Sequence, residues 1–268
     1  ISRDHEQYLG KTIAAIAGEK AGIIKAGVPV VCSGRELEAL PVIVDRCRET
    51  NSPLFLFGRD FHGRAEGEGV RYTSRAGDLH HLPLPLQGAH QIVNVSLALA
   101  ALEVVQPVLP LSHQQIRTGL GLVRWPGRME LVPVSFQGKE LRILFDGAHN
   151  EAGVQQLCRS LRNGYPRERL LLLWGNMADK AMGPALGQLL DFTDMLILTR
   201  AESERSATPQ SLRASLPPSI QEKAICVEPA EQALQRALEN ATERDLICVA
   251  GSLYLVGRIR PLVVKEEG

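Results

Sequence analysis

The stretch Leu141-Arg142-Ile143-Leu144-Phe145-Asp146-Gly147-Ala148-His149-Asn150 decides the fold. An apolar run stops at an acidic residue and a glycine, and from 152 to 162 the apolar residues return at helical spacing, so the stretch reads as strand, loop and helix. The alternation continues downstream, with strands expected at 170–173, 195–199, 224–227 and 246–249 and helices at about 181–192, 209–215 and 230–242. Short apolar strands separated by amphipathic helices predict an α/β fold with a mainly parallel sheet covered on both faces. No G-x-G-x-x-G stretch follows an expected strand, which argues against a nicotinamide cofactor.

Upstream, Trp125-Pro126-Gly127 interrupts the chain, because proline and glycine together stop a helix and redirect the backbone. A domain boundary is expected there, dividing the sequence into 1–125 and 126–268. In the first part, helices are expected at about 12–24, 41–49, 89–104 and 113–122, and strands at 27–32 and 54–57. The stretch 59–86, rich in Gly, His and Arg, is expected to form hairpins and loops around a short strand at 70–72. The chain opens on Ile1-Ser2-Arg3-Asp4-His5 without an initiator methionine, and is expected to be cut from a larger protein.

Composition narrows the functional classes. Of 268 residues, 44% are hydrophobic and 22% charged, the balance of an ordinary globular protein. No apolar run approaches the roughly 20 residues that would span a bilayer, and none resembles a signal peptide, so a cytoplasmic protein is expected. Thirty basic and thirty acidic side chains cancel, leaving no bulk field to attract nucleic acid. The five cysteines are odd in number and far apart, suggesting neither a zinc site nor a disulfide framework.

In an open α/β sheet, ligands bind outside the carboxyl ends of the strands, which is where Asp146 to Asn150 fall. Asp146 or Asn150 capping the next helix, with Gly147 making the turn, is an equally good reading. Asp4-His5 followed by Lys20 is a second candidate group, although a lone helical lysine is ordinarily a solvated charge. Gly88-Ala89-His90-Gln91 with Asn94 places amides and an imidazole near a helix start, and capping explains them nearly as well. Arg128 beside Trp125-Pro126-Gly127 offers a guanidinium at a rigid hinge, suited to phosphate or to a surface ion pair. Gly10-Lys11-Thr12 resembles the end of a Walker A loop, but the first glycine of that motif would fall at His5.

Six stretches occur in a specific order: DHEQYLG (4–10), GEKAGIIKAGVPVV (18–31), GAHQIVN (88–94), WPGRME (125–130), FDGAHN (145–150) and GSLYLVG (251–257). Together they resemble the folylpolyglutamate synthase and dihydrofolate synthase branch of the Mur ligase superfamily, from Asp4 to about Arg260. The resemblance implies that 1–125 is the remainder of a P-loop ATPase-type central domain and 126–268 a Rossmann-like, mainly parallel-sheet C-terminal domain. It implies an ATP-dependent ligase, acting as a monomer, that joins L-glutamate to the γ-carboxyl of folate through an acyl phosphate. A UDP-muramoyl amino-acid ligase and a non-catalytic Rossmann-like binding module are the rivals.

By the same resemblance, His5 and Lys20 are the Mg²⁺ ligands, Lys20 as a carbamate that turns a cation into an oxygen donor. A carbamate forms on a neutral amine, so Lys20 is expected where its charged form is disfavoured. Asn94, Arg128 and Asp146 are implied as ATP contacts, His149 and Ser252 as residues near the incoming glutamate, and Lys20 and His149 as catalytic. Ser2-Arg3 departs from the small or apolar residues many relatives have before the Asp-His pair. The family's P-loop, its metal-binding Ser or Thr and its acidic metal ligand have no counterpart here and are expected upstream of Ile1; the 268 residues alone are therefore expected not to turn over.

Overall fold

The structure, a computed structural model, describes residues 10, 12–178, 183–200 and 205–264. The chain forms two compact units, Ile1–Arg124 and Trp125–Gly268.

In the first unit, helix α1 (Ile13–Ala21) begins at Thr12, whose hydroxyl accepts from the Ala15 N–H at 3.1 Å. That cap explains the Gly-Lys-Thr look-alike: its threonine starts a helix in the ordinary way. Strands β1 (Val30–Cys32) and β2 (Leu54–Leu56) pair in parallel across helix α2 (Leu40–Glu49). The stretch expected to form hairpins and loops around one short strand is a three-stranded antiparallel sheet of β3 (Phe61–Glu66), β4 (Gly69–Ser74) and β5 (Gly77–Leu82). Its inward side chains, Phe61, Val70, Tyr72 and Leu82, are few and widely spaced among polar ones, but pack on Val95, Leu99 and Ala100 of helix α3 (His90–Val105). Helix α4 (His113–Gly121) follows, started by a capping box between Ser112 and Gln115.

The second unit is built on one six-stranded sheet, with β6 (Glu130–Phe136), β7 (Lys139–Phe145), β8 (Leu170–Trp174), β9 (Met195–Leu198), β10 (Ile225–Cys226) and β11 (Leu246–Ala250) in the order β10-β9-β8-β11-β7-β6. All neighbours run parallel except β6, which pairs antiparallel with β7. The turn between them, Gln137-Gly138, has positive φ at both residues (50° and 79°), which matches the right-handed twist of the flanking strands.

Alternate strand residues feed two cores. Leu144, Leu170, Leu172, Leu196, Leu198 and Cys248 face helices α5 (Glu151–Gly164), α6 (Pro184–Leu190) and α7 (Pro209–Ala214). After the short helix α8 (Pro218–Gln221), helices α9 (Ala230–Asn240) and α10 (Leu253–Val263) cover Ile143, Phe145, Leu171, Leu173, Ile197 and Val249 on the opposite face. With both faces buried, β8 is continuously apolar rather than alternating, as its Leu-Leu-Leu-Leu-Trp sequence announces. The chain leaves β7 toward the α5 face and β11 toward the α10 face, so the loops of these adjacent strands diverge and open a crevice at their carboxyl ends.

Cys47, Cys158 and Cys248 are buried, and burial pushes all three thiols up. All five cysteines are unpaired. Among the described residues, no helix is long and apolar enough to cross a membrane.

Candidate active site

Asp146 follows β7 directly, and its N–H continues the ladder by donating to the Val249 carbonyl at 3.0 Å. Its side chain is 4% exposed. Oδ2 accepts from the Met129 N–H and Oδ1 from the Ala148 N–H, each at 2.9 Å. Burial pushes its carboxyl above the usual carboxylate range, against the two N–H bonds and the charges of Arg128 and His149. Asp146 is therefore no helix cap. Asn150 takes that role, its Oδ1 accepting from the Gly153 N–H at 2.9 Å at the start of α5.

His149 is half-buried, and its Nδ1 donates to the Gly147 carbonyl at 2.8 Å. In the neutral ring this places the proton on Nδ1. A Cβ on Gly147 would come within 2.3 Å of Leu253, whose exposed side chain would have to turn away.

The 125–130 turn lies against this loop. The Gly147 N–H donates to the Gly127 carbonyl at 2.9 Å, alongside the bond from Met129 to Asp146. Gly127 has φ of 71° and Met129 φ of 48°, so Arg128 sits between two left-handed residues. The Arg128 side chain is exposed and makes no hydrogen bond among the described residues, so the surface ion pair that sequence left open is not formed.

Ser252 lies at the carboxyl end of β11, 2% exposed, and caps α10 by accepting from the Tyr254 N–H at 3.1 Å. The preceding Gly251, φ 104°, donates to the Ala148 carbonyl at 2.8 Å. A Cβ on it would meet the Gly175 carbonyl at 2.6 Å, so only glycine fits where the three strand ends converge. Asn176, 2% exposed at the end of β8, donates to the His149 carbonyl at 3.4 Å. Sequence reading passed over it; its position one residue past Gly175 at a parallel strand end was the available signal.

In the first unit, Lys20 occupies the last turn of α1 and is exposed. The burial that would keep its amine neutral is not present among the described residues. His5 lies outside the described residues. Near the start of α3, the exposed Asn94 donates through Nδ2 to Oε1 of the buried Gln91 at 2.9 Å. No side chain caps α3, so capping does not account for Gln91 or Asn94.

Residues 127–253, which carry the Asp-Gly-Ala-His-Asn loop and the Gly-Ser turn at adjacent strand ends of the doubly covered sheet, match the family described as "Mur ligase, glutamate ligase domain". Along nearly its whole length the chain is similar to the folylpolyglutamate and dihydrofolate synthases. It is 30% identical over 97% of its length to dihydrofolate synthetase of Saccharomyces cerevisiae, covering 63% of that protein. It is likewise 30% identical over 97% of its length to folylpolyglutamate synthase of Lacticaseibacillus casei, covering 60% of that protein. Among solved structures it resembles E. coli FolC in complex with DHPP and ADP, with a TM-score of 0.84 and 27% identity, covering 98% of this chain and 59% of the other. The chain thus spans about three fifths of the length of the relatives it matches.

Proposed function

We propose that the chain is part of an ATP-dependent ligase that adds L-glutamate to the γ-carboxyl of a folate, acting as a cytoplasmic monomer. The observation that carries this reading is the exposed, uncommitted Arg128 held beside the buried Asp146 at the diverging ends of β7 and β11. This pair lies in the segment that matches the glutamate-ligase domain. The names of the relatives, and the ADP bound to the E. coli structure, support nucleotide and folate as ligands here.

In this reaction the folate carboxylate attacks the γ-phosphate of ATP to give an acyl phosphate and ADP, and the glutamate amine then displaces phosphate to form the amide. Both steps concentrate negative charge on phosphoryl oxygens, which the Arg128 guanidinium is suited to hold and align. Asp146 keeps acceptor capacity beyond its two backbone bonds, enough to receive ribose hydroxyls. Asn94 is a further nucleotide contact. His149 and Ser252 face the incoming glutamate, and the bond from Nδ1 to Gly147 holds the His149 ring in one orientation. Closing the site against water protects the acyl phosphate from hydrolysis.

The described residues contain no group of three His, Cys, Asp or Glu able to hold a metal ion. Of the two proposed Mg²⁺ ligands, Lys20 is exposed and His5 lies outside the described residues, so no step is assigned to the metal. When bound, Mg²⁺ would neutralise phosphate charge. The 1–125 part is proposed to be the remainder of the ATP-binding central domain and 126–268 the Rossmann-like C-terminal domain. Incubating the protein as its gene encodes it with ATP, L-glutamate and tetrahydrofolate, then weighing the folate by mass spectrometry, tests the proposal. A folate lengthened by glutamate is expected, and an unaltered folate pool would refute it.

A further inference from the structure

We infer that Glu130, clamped by Arg260, is a positioning residue that sets the direction in which Arg128 is presented. This rests on the reading of Arg128 as the phosphate contact and extends it to two residues outside the seven family-like site residues named above.

Arg128 belongs to a turn that does not hold itself. Its neighbours Gly127 and Met129 both adopt left-handed backbone conformations, and for methionine that conformation is unfavourable. Such a residue persists only where its surroundings over-determine it. Here they do so from two sides. From the β7 side come the bonds of Met129 N–H to Asp146 and Gly147 N–H to Gly127 O, both at 2.9 Å.

From the α10 side comes Glu130. Its Oε2 accepts from the Gly127 N–H at 2.8 Å, and the same carboxylate receives Arg260 through Nε at 2.9 and 3.1 Å and Nη2 at 2.9 Å. Both partners are largely covered, with side-chain exposures of 17% for Arg260 and 25% for Glu130. A fork-on-fork pair fixes the carboxylate in plane and position, which a single lysine contact would not do. Val256, one turn before Arg260 on α10, closes the remaining space: a Cβ on Gly127 would lie 2.6 Å from its Cγ1.

The helix that begins at Ser252 therefore also carries, through Arg260 and Glu130, the registration of the Arg128 turn. Any shift of α10 along its axis would be passed to the guanidinium. An ordinary stabilising ion pair would make no such demand, because it has no reason to take the turn's own N–H as a third donor.

The test compares Glu130→Ala, Glu130→Gln and the exchange Glu130→Arg with Arg260→Glu in the protein as its gene encodes it. Steady-state kinetics would be measured together with hydrogen exchange at the Gly127 and Met129 amides. Glu130→Ala is expected to raise KM for ATP about tenfold, with little change in KM for glutamate, as misplacing one charge contact does. Glu130→Gln retains an oxygen for the Gly127 N–H and is expected to recover most of that loss. The exchanged pair restores opposite charges and with them thermal stability, but arginine cannot accept from Gly127, so KM for ATP is expected to stay raised.

Full recovery of KM for ATP in the exchanged pair would overturn the inference and reduce the two residues to a stabilising pair. Unchanged amide exchange in Glu130→Ala would overturn it as well. The exchange measurement reads the turn directly, so it decides the positioning role even if the protein proves not to consume ATP. Failure of ATP turnover in the wild type counts instead against the proposed function.

Discussion

Asp146 is a buried carboxylate whose two oxygens are each engaged by a backbone N–H, an arrangement that an amide can only half reproduce. Asp146→Asn turns an NH₂ toward one of those donors, leaving a buried N–H unpaired, and should cost roughly 1–3 kcal/mol in chemical denaturation. The pH dependence has a definite sign. Burial raises the folded pKa of Asp146 above its unfolded value of about 3.8, so its proton-linked stabilisation is present below that value and lost as pH rises through the folded pKa. Wild type should therefore gain stability relative to Asp146→Asn as the pH is lowered through that window, and a difference independent of pH would contradict the assignment. Sequence alone left Asp146 divided between capping and chemistry, because both readings put an acidic residue at a strand end; which donors it faces depends on the 125–130 turn, seventeen positions away. Lys20 is the opposite case. Its motif was readable, and among the described residues its side chain is exposed, without the cover that a carbamate is expected to need.

Secondary-structure elements whose apolar runs pack on both sides were legible: β7, β8, β9 and β11 all lie where their sequences predict them. The edge strand β6 was not anticipated, because Pro133 lies within it and proline removes a ladder donor, a loss that only an edge position tolerates. The helix α10 was also passed over, since Pro261 lies inside it and proline argues against a helix. At the other end of the sheet, Asp245 fastens the starts of β8 and β11: it is 2% exposed, pairs with Arg169 at 2.6 Å and accepts from the Thr242 N–H at 2.8 Å. Burial works against its charge, but Arg169 and Thr242 outweigh it and hold the carboxyl below its usual range. Its stabilisation is thus present above about pH 3.8 and lost as pH falls through the folded pKa. Asp245→Ala should lower stability by about 2 kcal/mol at neutral pH and should flatten this acid limb, as urea titrations across pH would show. Gly127→Ala combines a strained positive φ with a clash against Val256, so a loss of roughly 1–3 kcal/mol is expected by calorimetry.

At the scale of the whole molecule, Pro126 and Gly127 end one sequence pattern before another starts, and the chain's two compact units are Ile1–Arg124 and Trp125–Gly268. The proposed chemistry needs a phosphate cradle that no glycine-rich Walker A stretch among these 268 residues supplies. The 268-residue chain by itself is accordingly predicted to release no ADP in a glutamate-dependent way; measurable release by it would show that the cradle is built differently. The central claim is tested most directly by glutamate-dependent ADP release from the protein as its gene encodes it, with tetrahydrofolate, dihydropteroate and a UDP-muramoyl acceptor compared side by side. Release with tetrahydrofolate is predicted, with release on dihydropteroate adding a dihydrofolate synthase activity. Release with the muramoyl acceptor alone would contradict the folate assignment.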